Sequence, residues 1–235
     1  MNSEHQNIVE KFSKEIIKGL KDIDKNYLFQ KETKNTLYER GLKGLDEIKI
    51  TPLLKDHLNK NLPNHFDSKV SVPLKEQSYP KKPKLKCDIV VKLGDHYPNL
   101  IRLDSELKIL NAIGENGDEY QNWPNRIFKL EDDASKLQEN STADIKLLLA
   151  ITYLYDKKTL EYMKNLHPKH NAKFVKLGDL LSKNGGMFNL MRRIETIEIA
   201  LIHRKIMNQE FKRIRFSVPT HPYGGSAILL VGQIN

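Results

Sequence analysis

The sequence predicts an α/β protein, a mixed β-sheet flanked by helices, and three observations predict it. Residues 7–23 carry apolar side chains at helical spacing, residues 86–110 hold two alternating segments around a turn, and residues 144–155 are an almost unbroken apolar run. These are the patterns of an amphipathic helix, of half-buried strands and of a strand covered on both faces.

In "NIVEKFSKEIIKGLKDI", Ile8, Phe12, Ile16 and Leu20 form one stripe, widened by Val9, Ile17 and Ile23. A second helix is expected over 31–48. A third should open at Thr51, as N-cap, with Pro52 in its first turn, and end near Pro63. Strands follow at 69–74, 86–93 and 100–110, the last two joined by "GDHYPN", which is rich in turn formers. Then come a helix over 126–138, the buried strand 144–155, a short strand over 172–177 and a long amphipathic helix over 187–211. Two strands, 213–218 and 227–234, close the chain. No repeat or linker interrupts this order. The expectation is one domain over 1–235, with a helical N-terminal extension at 1–50, a core at 50–155, and a helix with a terminal hairpin at 156–235.

Composition narrows the function. Apolar residues make up 39% of the chain and charged residues 29%, a globular balance. The N-terminus lacks the basic start and apolar run of a secretory signal. No apolar stretch reaches the roughly 18–20 residues that span a bilayer. The expectation is an intracellular, cytoplasmic protein with no membrane partner. The single cysteine, Cys87, excludes an intramolecular disulfide framework and a cysteine-based zinc site. His167 and His170 have no third ligand nearby in sequence. A net charge of +9 and a pI near 9.3 favour a polyanionic partner, since binding releases condensed counterions. Lys and Arg concentrate at 69–92 and 192–215. Lys81, Lys82, Lys84, Arg192, Arg193, Arg204 and Lys205 are the candidate phosphate contacts. The competing reading is a solvated lysine-rich surface and the exposed side of a long helix.

The candidate site lies where the two alternating segments meet. In "IRLDSELKIL", Ile101, Leu103, Leu107 and Ile109 share one parity, and Arg102, Asp104, Glu106 and Lys108 the other. Pairing as a hairpin about residue 96 or 97 puts Asp88 opposite Ser105 or Glu106. If Ile89 and Val91 join the core with Leu107 and Ile109, Asp88 shares a face with Glu106 and Lys108. Two carboxylates can hold Mg²⁺, a hard cation that prefers oxygen. The neighbouring ammonium can orient a water and stabilise charge on phosphorus. The Leu107 backbone carbonyl is a third candidate ligand. An acid, any residue, then lysine occurs seven times in the chain, so the triplet alone is weak. Asp144 with Lys146 is its only strand-borne rival. The alternative for residues 102–108 is an exposed sheet face with cross-strand ion pairs, and Asp104 is better read as a partner of Arg102, Lys84 or Lys86.

Asp88, seventeen intervening residues, then Glu106-Leu107-Lys108 resembles the PD-(D/E)xK nuclease superfamily, the fold of many restriction endonucleases. The resemblance covers about residues 50–155: a helix, three strands with the acid and the triplet on the second and third, a helix, and a buried fourth strand. It departs at Cys87, which stands where the signature has proline. It implies a restriction-endonuclease-like sheet and Mg²⁺-dependent cleavage of double-stranded DNA, with Mn²⁺ as a substitute. Asp88 and Glu106 would be metal ligands and Lys108 the catalytic lysine. The implied enzyme is a type II restriction endonuclease, a homodimer if its target is palindromic, with 156–235 supplying recognition or dimerisation elements. A further acid from the helix before the first strand is common to such folds. Asp56 is the more natural candidate here and Glu47 the next, against surface charge for either. Two other readings stay open: a structure-specific or repair nuclease on the same fold, and a non-catalytic nucleic-acid-binding module.

Overall fold

The chain begins with α1 (Ser3–Asn26), whose Phe12, Ile16 and Leu20 are completely buried as the spacing requires. Two-residue strands β1 (Glu32–Thr33) and β2 (Thr36–Leu37) come next, then α2 (Glu47–Asn61) and a 3₁₀ turn at Leu62–His65. The strands β3 (Val70–Ser71), β4 (Gln77–Tyr79), β5 (Lys82–Cys87), β6 (Ile89–Leu93) and β7 (Ile101–Leu110) lead into α3 (Trp123–Asn140). The last elements are β8 (Ile145–Leu154), α4 (Phe188–His203), β9 (Lys212–Ser217) and β10 (Ser226–Ile234). This computed structural model describes residues 3–27, 32–33, 36–37, 41–42, 45–94, 100–110, 123–154, 188–220 and 225–235, with backbone alone at 32–33, 36–37, 123–127, 188–191 and 193. The expected strand at 172–177 and the histidines at 167 and 170 lie outside them.

Six strands form one mixed sheet in the order β3-β6-β7-β8-β10-β9, with β4 and β5 paired separately as a hairpin. β6 and β7 are antiparallel, β7 and β8 parallel, and β8, β10 and β9 antiparallel. A parallel neighbour needs a crossover, and α3 supplies it. Alternation divides the core in two. Ile89, Val91, Leu103, Leu107, Ile109, Leu147 and Leu149 face α1 and α2. Val90, Leu110, Leu148, Ala150 and Leu230 face α3 and α4. Burying each of these Val, Leu and Ile side chains contributes about 1.5–3 kcal/mol. Among the described residues no helix is long and apolar enough to cross a membrane.

The sequence expectations miss in several places, among them 69–74, where only Val70–Ser71 is strand, and Gln77–Tyr79, where a strand was not foreseen. Residues 31–48 are not one helix: Glu32 pairs with Leu37 and Thr33 with Thr36 as antiparallel strands. Thr33, Asn35 and Thr36 are weak helix formers that readily take turns. α2 starts four residues before Thr51, because Asp46 is the N-cap and accepts the Lys49 N–H at 3.0 Å. Pro52 therefore sits inside the helix, and the Thr51 hydroxyl donates to the Glu47 carbonyl at 2.9 Å. The strand expected at 86–93 breaks at Asp88 into β5 and β6, which belong to different sheets. α4 stops at His203, since Lys205 turns the chain at φ 58° and the Ile206 N–H returns to the Leu201 carbonyl at 2.9 Å. The N-terminal helix α1 packs on α2 within the core layer, so closely that a Cβ at Gly19 would lie 2.7 Å from Leu54.

Candidate active site

The hairpin register sets the site. Ile89 pairs with Ser105 about a centre at residue 97, so the next position back brings Asp88 level with Glu106. Beyond Ser105, β7 runs on without β6 beside it. Its odd-numbered N–H groups there need other acceptors, as an unpaired strand edge must be satisfied or covered. Two carboxylates provide them: Asp88 Oδ2 accepts the Leu107 N–H at 2.9 Å, and Glu47 Oε2 accepts the Ile109 N–H at 3.3 Å. In a strand the N–H and C=O of one residue leave the same edge, so the Leu107 carbonyl projects toward Asp88.

The even face of β7 is not solvent-exposed. Glu106 is 2% exposed, and its neighbours across the parallel ladder are the fully buried Leu148 and, two residues on, Ala150. α3 covers it with charge. Lys136 Nζ lies 2.7 Å from Glu106 Oε1, the oxygen that also accepts the Tyr79 hydroxyl. Lys108 Nζ lies 3.1 Å from Glu47 Oε1 and 3.0 Å from Asp133 Oδ2, an oxygen that has charge contact but no aligned hydrogen bond. Asp133 and Lys136 are one turn apart on α3, so the helix answers the strand's acid with a base and its base with an acid.

Burial and then the nearby Asp88 push the Glu106 carboxyl up to about 8, against the opposing pull of Lys136 and Tyr79. Burial disfavours the Lys108 cation, but Asp133 and Glu47 outweigh it and hold its pKa above the ordinary lysine value. Lys108 is therefore a fixed cation at neutral pH and not a base. Burial likewise raises Asp133, with Lys108 acting against it. Tyr79 and Cys87 beneath the site are raised by burial, with Glu106 adding to the rise.

Four carboxylates, Glu47, Asp88, Glu106 and Asp133, thus face two ammonium groups, Lys108 and Lys136. The surplus of negative charge and the all-oxygen donor set suit a hard divalent cation. Asp88 engages the Leu107 N–H through Oδ2, and Glu106 engages Tyr79 and Lys136 through Oε1. As the side chains stand, no three His, Cys, Asp or Glu among the described residues gather closely enough to hold a metal ion.

The other candidates are scattered. Asp56 pairs with Lys60 at 2.6 Å on the surface of α2, about 13 Å along the helix from Glu47. Glu47, the second choice from sequence, is the one that reaches the site. Asp104 is completely buried and serves structure: Arg102 grips it at 2.7 and 3.1 Å and the Ser141 hydroxyl donates to it at 2.7 Å. In the rival triplet, Asp144 accepts the Arg102 N–H and Lys146 donates to the Asn235 carbonyl. Lys81, Lys82 and Lys84 are exposed on the β4–β5 hairpin. Arg192 and Lys205 are exposed, Arg204 lies 3.6 Å from Glu131, and the Arg193 side chain is outside the described set. Sequence reading missed Tyr79, Asp133 and Lys136. The signal was there for the helix pair, since both flank the buried stripe of Leu130, Ala134 and Leu137. No family model matches the chain, and no curated protein or solved structure matches it either.

Proposed function

We propose that the protein is a Mg²⁺-dependent, sequence-specific double-stranded DNA endonuclease of the type II restriction kind. The observation that carries this reading is the Asp88–Leu107 hydrogen bond, which ties an acid beside Glu106-Leu107-Lys108 at the uncovered edge of β7. The element order around the six-stranded sheet supports it: α2, then β3, β6 and β7, then α3 and the buried β8, a helix, three strands, a helix and a fourth strand as the PD-(D/E)xK resemblance implies. The β4–β5 hairpin intervenes between β3 and β6.

Asp88, Glu106 and the Leu107 carbonyl would hold the cation. When bound, it supplies Lewis-acid polarisation of a phosphoryl oxygen and a more acidic water. Lys108, kept cationic by Glu47 and Asp133, orients the attacking water and offsets charge growing on phosphorus. Glu47 and Asp133 position that lysine. Water attacks in line, with no covalent intermediate. A two-fold homodimer follows if the target is palindromic.

The test is cleavage of a long duplex of known sequence by wild type and Lys108→Ala, in Mg²⁺, Ca²⁺ and EDTA. Discrete fragments in Mg²⁺ alone, lost in the variant, support a sequence-specific nuclease. Cutting that follows junctions, ends or mismatches points to the repair-type enzyme. Salt-sensitive binding without cutting, unchanged in Lys108→Ala, points to a binding module, a reading favoured by the exposed basic hairpin.

A further inference from the structure

We infer that Lys136 is a built-in competitor for the divalent cation: its ammonium occupies Glu106 Oε1 in the metal-free protein and gives up that oxygen when a cation binds. The inference rests on the metal-binding reading above and deepens it.

Three observations carry it. Lys136 Nζ lies 2.7 Å from Glu106 Oε1, within the space a cation bound to that oxygen would need. Its place is built: Nζ also stands 5.3 Å from the centroid of the Tyr79 ring, and the Tyr79 hydroxyl donates to the same carboxylate oxygen. Around it Glu47, Asp88, Glu106 and Asp133 stand against only Lys108 and Lys136, so acids outnumber bases at the site. An ammonium and a divalent ion cannot share one oxygen at close range without strong repulsion, so the tethered Lys136 must leave Oε1 for a cation to take it. The Lys136 side chain is 22% exposed, whereas Glu106 is 2% exposed, so the lysine has a way out to water that the acid lacks. Asp133, one turn earlier, stays with Lys108 and keeps α3 in register during the exchange.

Replacing Lys136 by a neutral side chain should therefore strengthen metal binding, the reverse of what removing a structural or ligand residue would do. The experiment is a Mn²⁺ titration of the full chain followed by electron paramagnetic resonance, on wild type, Lys136→Met, Lys136→Gln and Glu106→Gln, with thermal melts with and without Mn²⁺. The expected result is that both Lys136 variants bind Mn²⁺ about tenfold or more tightly than wild type, gain more melting temperature from it, and lose this when Glu106→Gln is added. A Lys136 variant that folds only with Mn²⁺ supports the same role. Equal or weaker binding by both variants, with wild-type binding still dependent on Glu106, overturns the competitor while the metal site survives. Binding that ignores Glu106, or none at all, overturns both. Variants that fail to fold even with Mn²⁺ overturn it too, since Lys136 is then structural.

Discussion

Glu47, the first residue of α2, pairs with Lys108 at 3.1 Å and accepts the Ile109 N–H at 3.3 Å, across 62 positions of sequence. One carboxylate thus closes the free edge of β7 and fixes the lysine proposed to act on phosphate. Glu47→Ala removes both contacts and should cost about 1–3 kcal/mol of stability in urea denaturation. Glu47→Gln keeps an acceptor for Ile109 and should recover most of that loss. Both variants should cut DNA about tenfold or more slowly, equivalent to ~1.4 kcal/mol of transition-state stabilisation. If Glu47→Gln cleaves like wild type, the charge on Glu47 does not position Lys108.

Asp104 and Glu106 are two residues apart, on one face and equally hidden, yet they should respond oppositely to mutation. Asp104 is bound by Arg102 and Ser141, both well placed. Asp104→Ala leaves the Arg102 guanidinium without its partner and should destabilise by about 3–5 kcal/mol. Whatever remains folded should still cleave. Glu106→Gln should abolish cleavage with little loss of stability, because its environment already favours the neutral form. Melting and cleavage of the two variants side by side decide this.

Two buried glutamates should bend the stability–pH curve in opposite directions. The Glu106 carboxyl is raised from 4.5 to about 8, chiefly by burial. The folded state then holds a proton that the unfolded chain gives up. Its contribution is complete below pH 4.5 and is lost as pH rises toward 8. Glu15 is 1% exposed at the edge of a cleft of about 450 Å³. Burial raises its pKa, but Lys18 and His65 more than compensate, and it falls below the ordinary value. Its contribution is present above pH 4.5 and lost as the solution is acidified below that. Urea melts in EDTA should show Glu106→Gln flattening the fall between pH 5 and 8. Glu15→Gln should soften only the acid limb.

The sequence carried the hairpin because two alternating segments and one turn leave little freedom of register: a slip of one residue would turn Ile89 and Leu107 to the wrong face. It also carried Asp88, an acid inside an apolar run. What it hid was tertiary. The even face of β7 reads as solvated because it is charged, yet α3 covers it with Asp133 and Lys136, and no local pattern announces a charge whose partner lies on another element. Asp56 looked more apt than Glu47 because α2 was expected to start at Thr51. Once Asp46 caps the helix, Glu47 sits at its mouth and Asp56 is about two and a half turns away on its surface. Cys87 and Asp88, read as one strand with Ile89, are where the chain leaves one sheet for another.

The basic hairpin offers the remaining test of a nucleic-acid partner. Tyr79 anchors β4 under Glu106, while Lys81, Lys82 and Lys84 point into solvent from the turn and β5. Lys146 nearby has its pKa lowered by burial and by Lys81, which places a further positive charge in the same field. Each lysine that neutralises a phosphate should contribute about 0.9 to the slope of log affinity against log salt. The triple variant Lys81→Ala, Lys82→Ala, Lys84→Ala should thus lower that slope by about 2–3 and weaken all duplexes alike, since phosphate contacts carry no sequence information. Its melting temperature should stay at the wild-type value, as exposed lysines add little to stability. Arg204→Ala should change the slope less, because Glu131 already accompanies that guanidinium. An unchanged slope in the triple variant, measured by fluorescence anisotropy in Ca²⁺, would move the DNA track away from the hairpin and toward the exposed side of α4, where Arg192 lies.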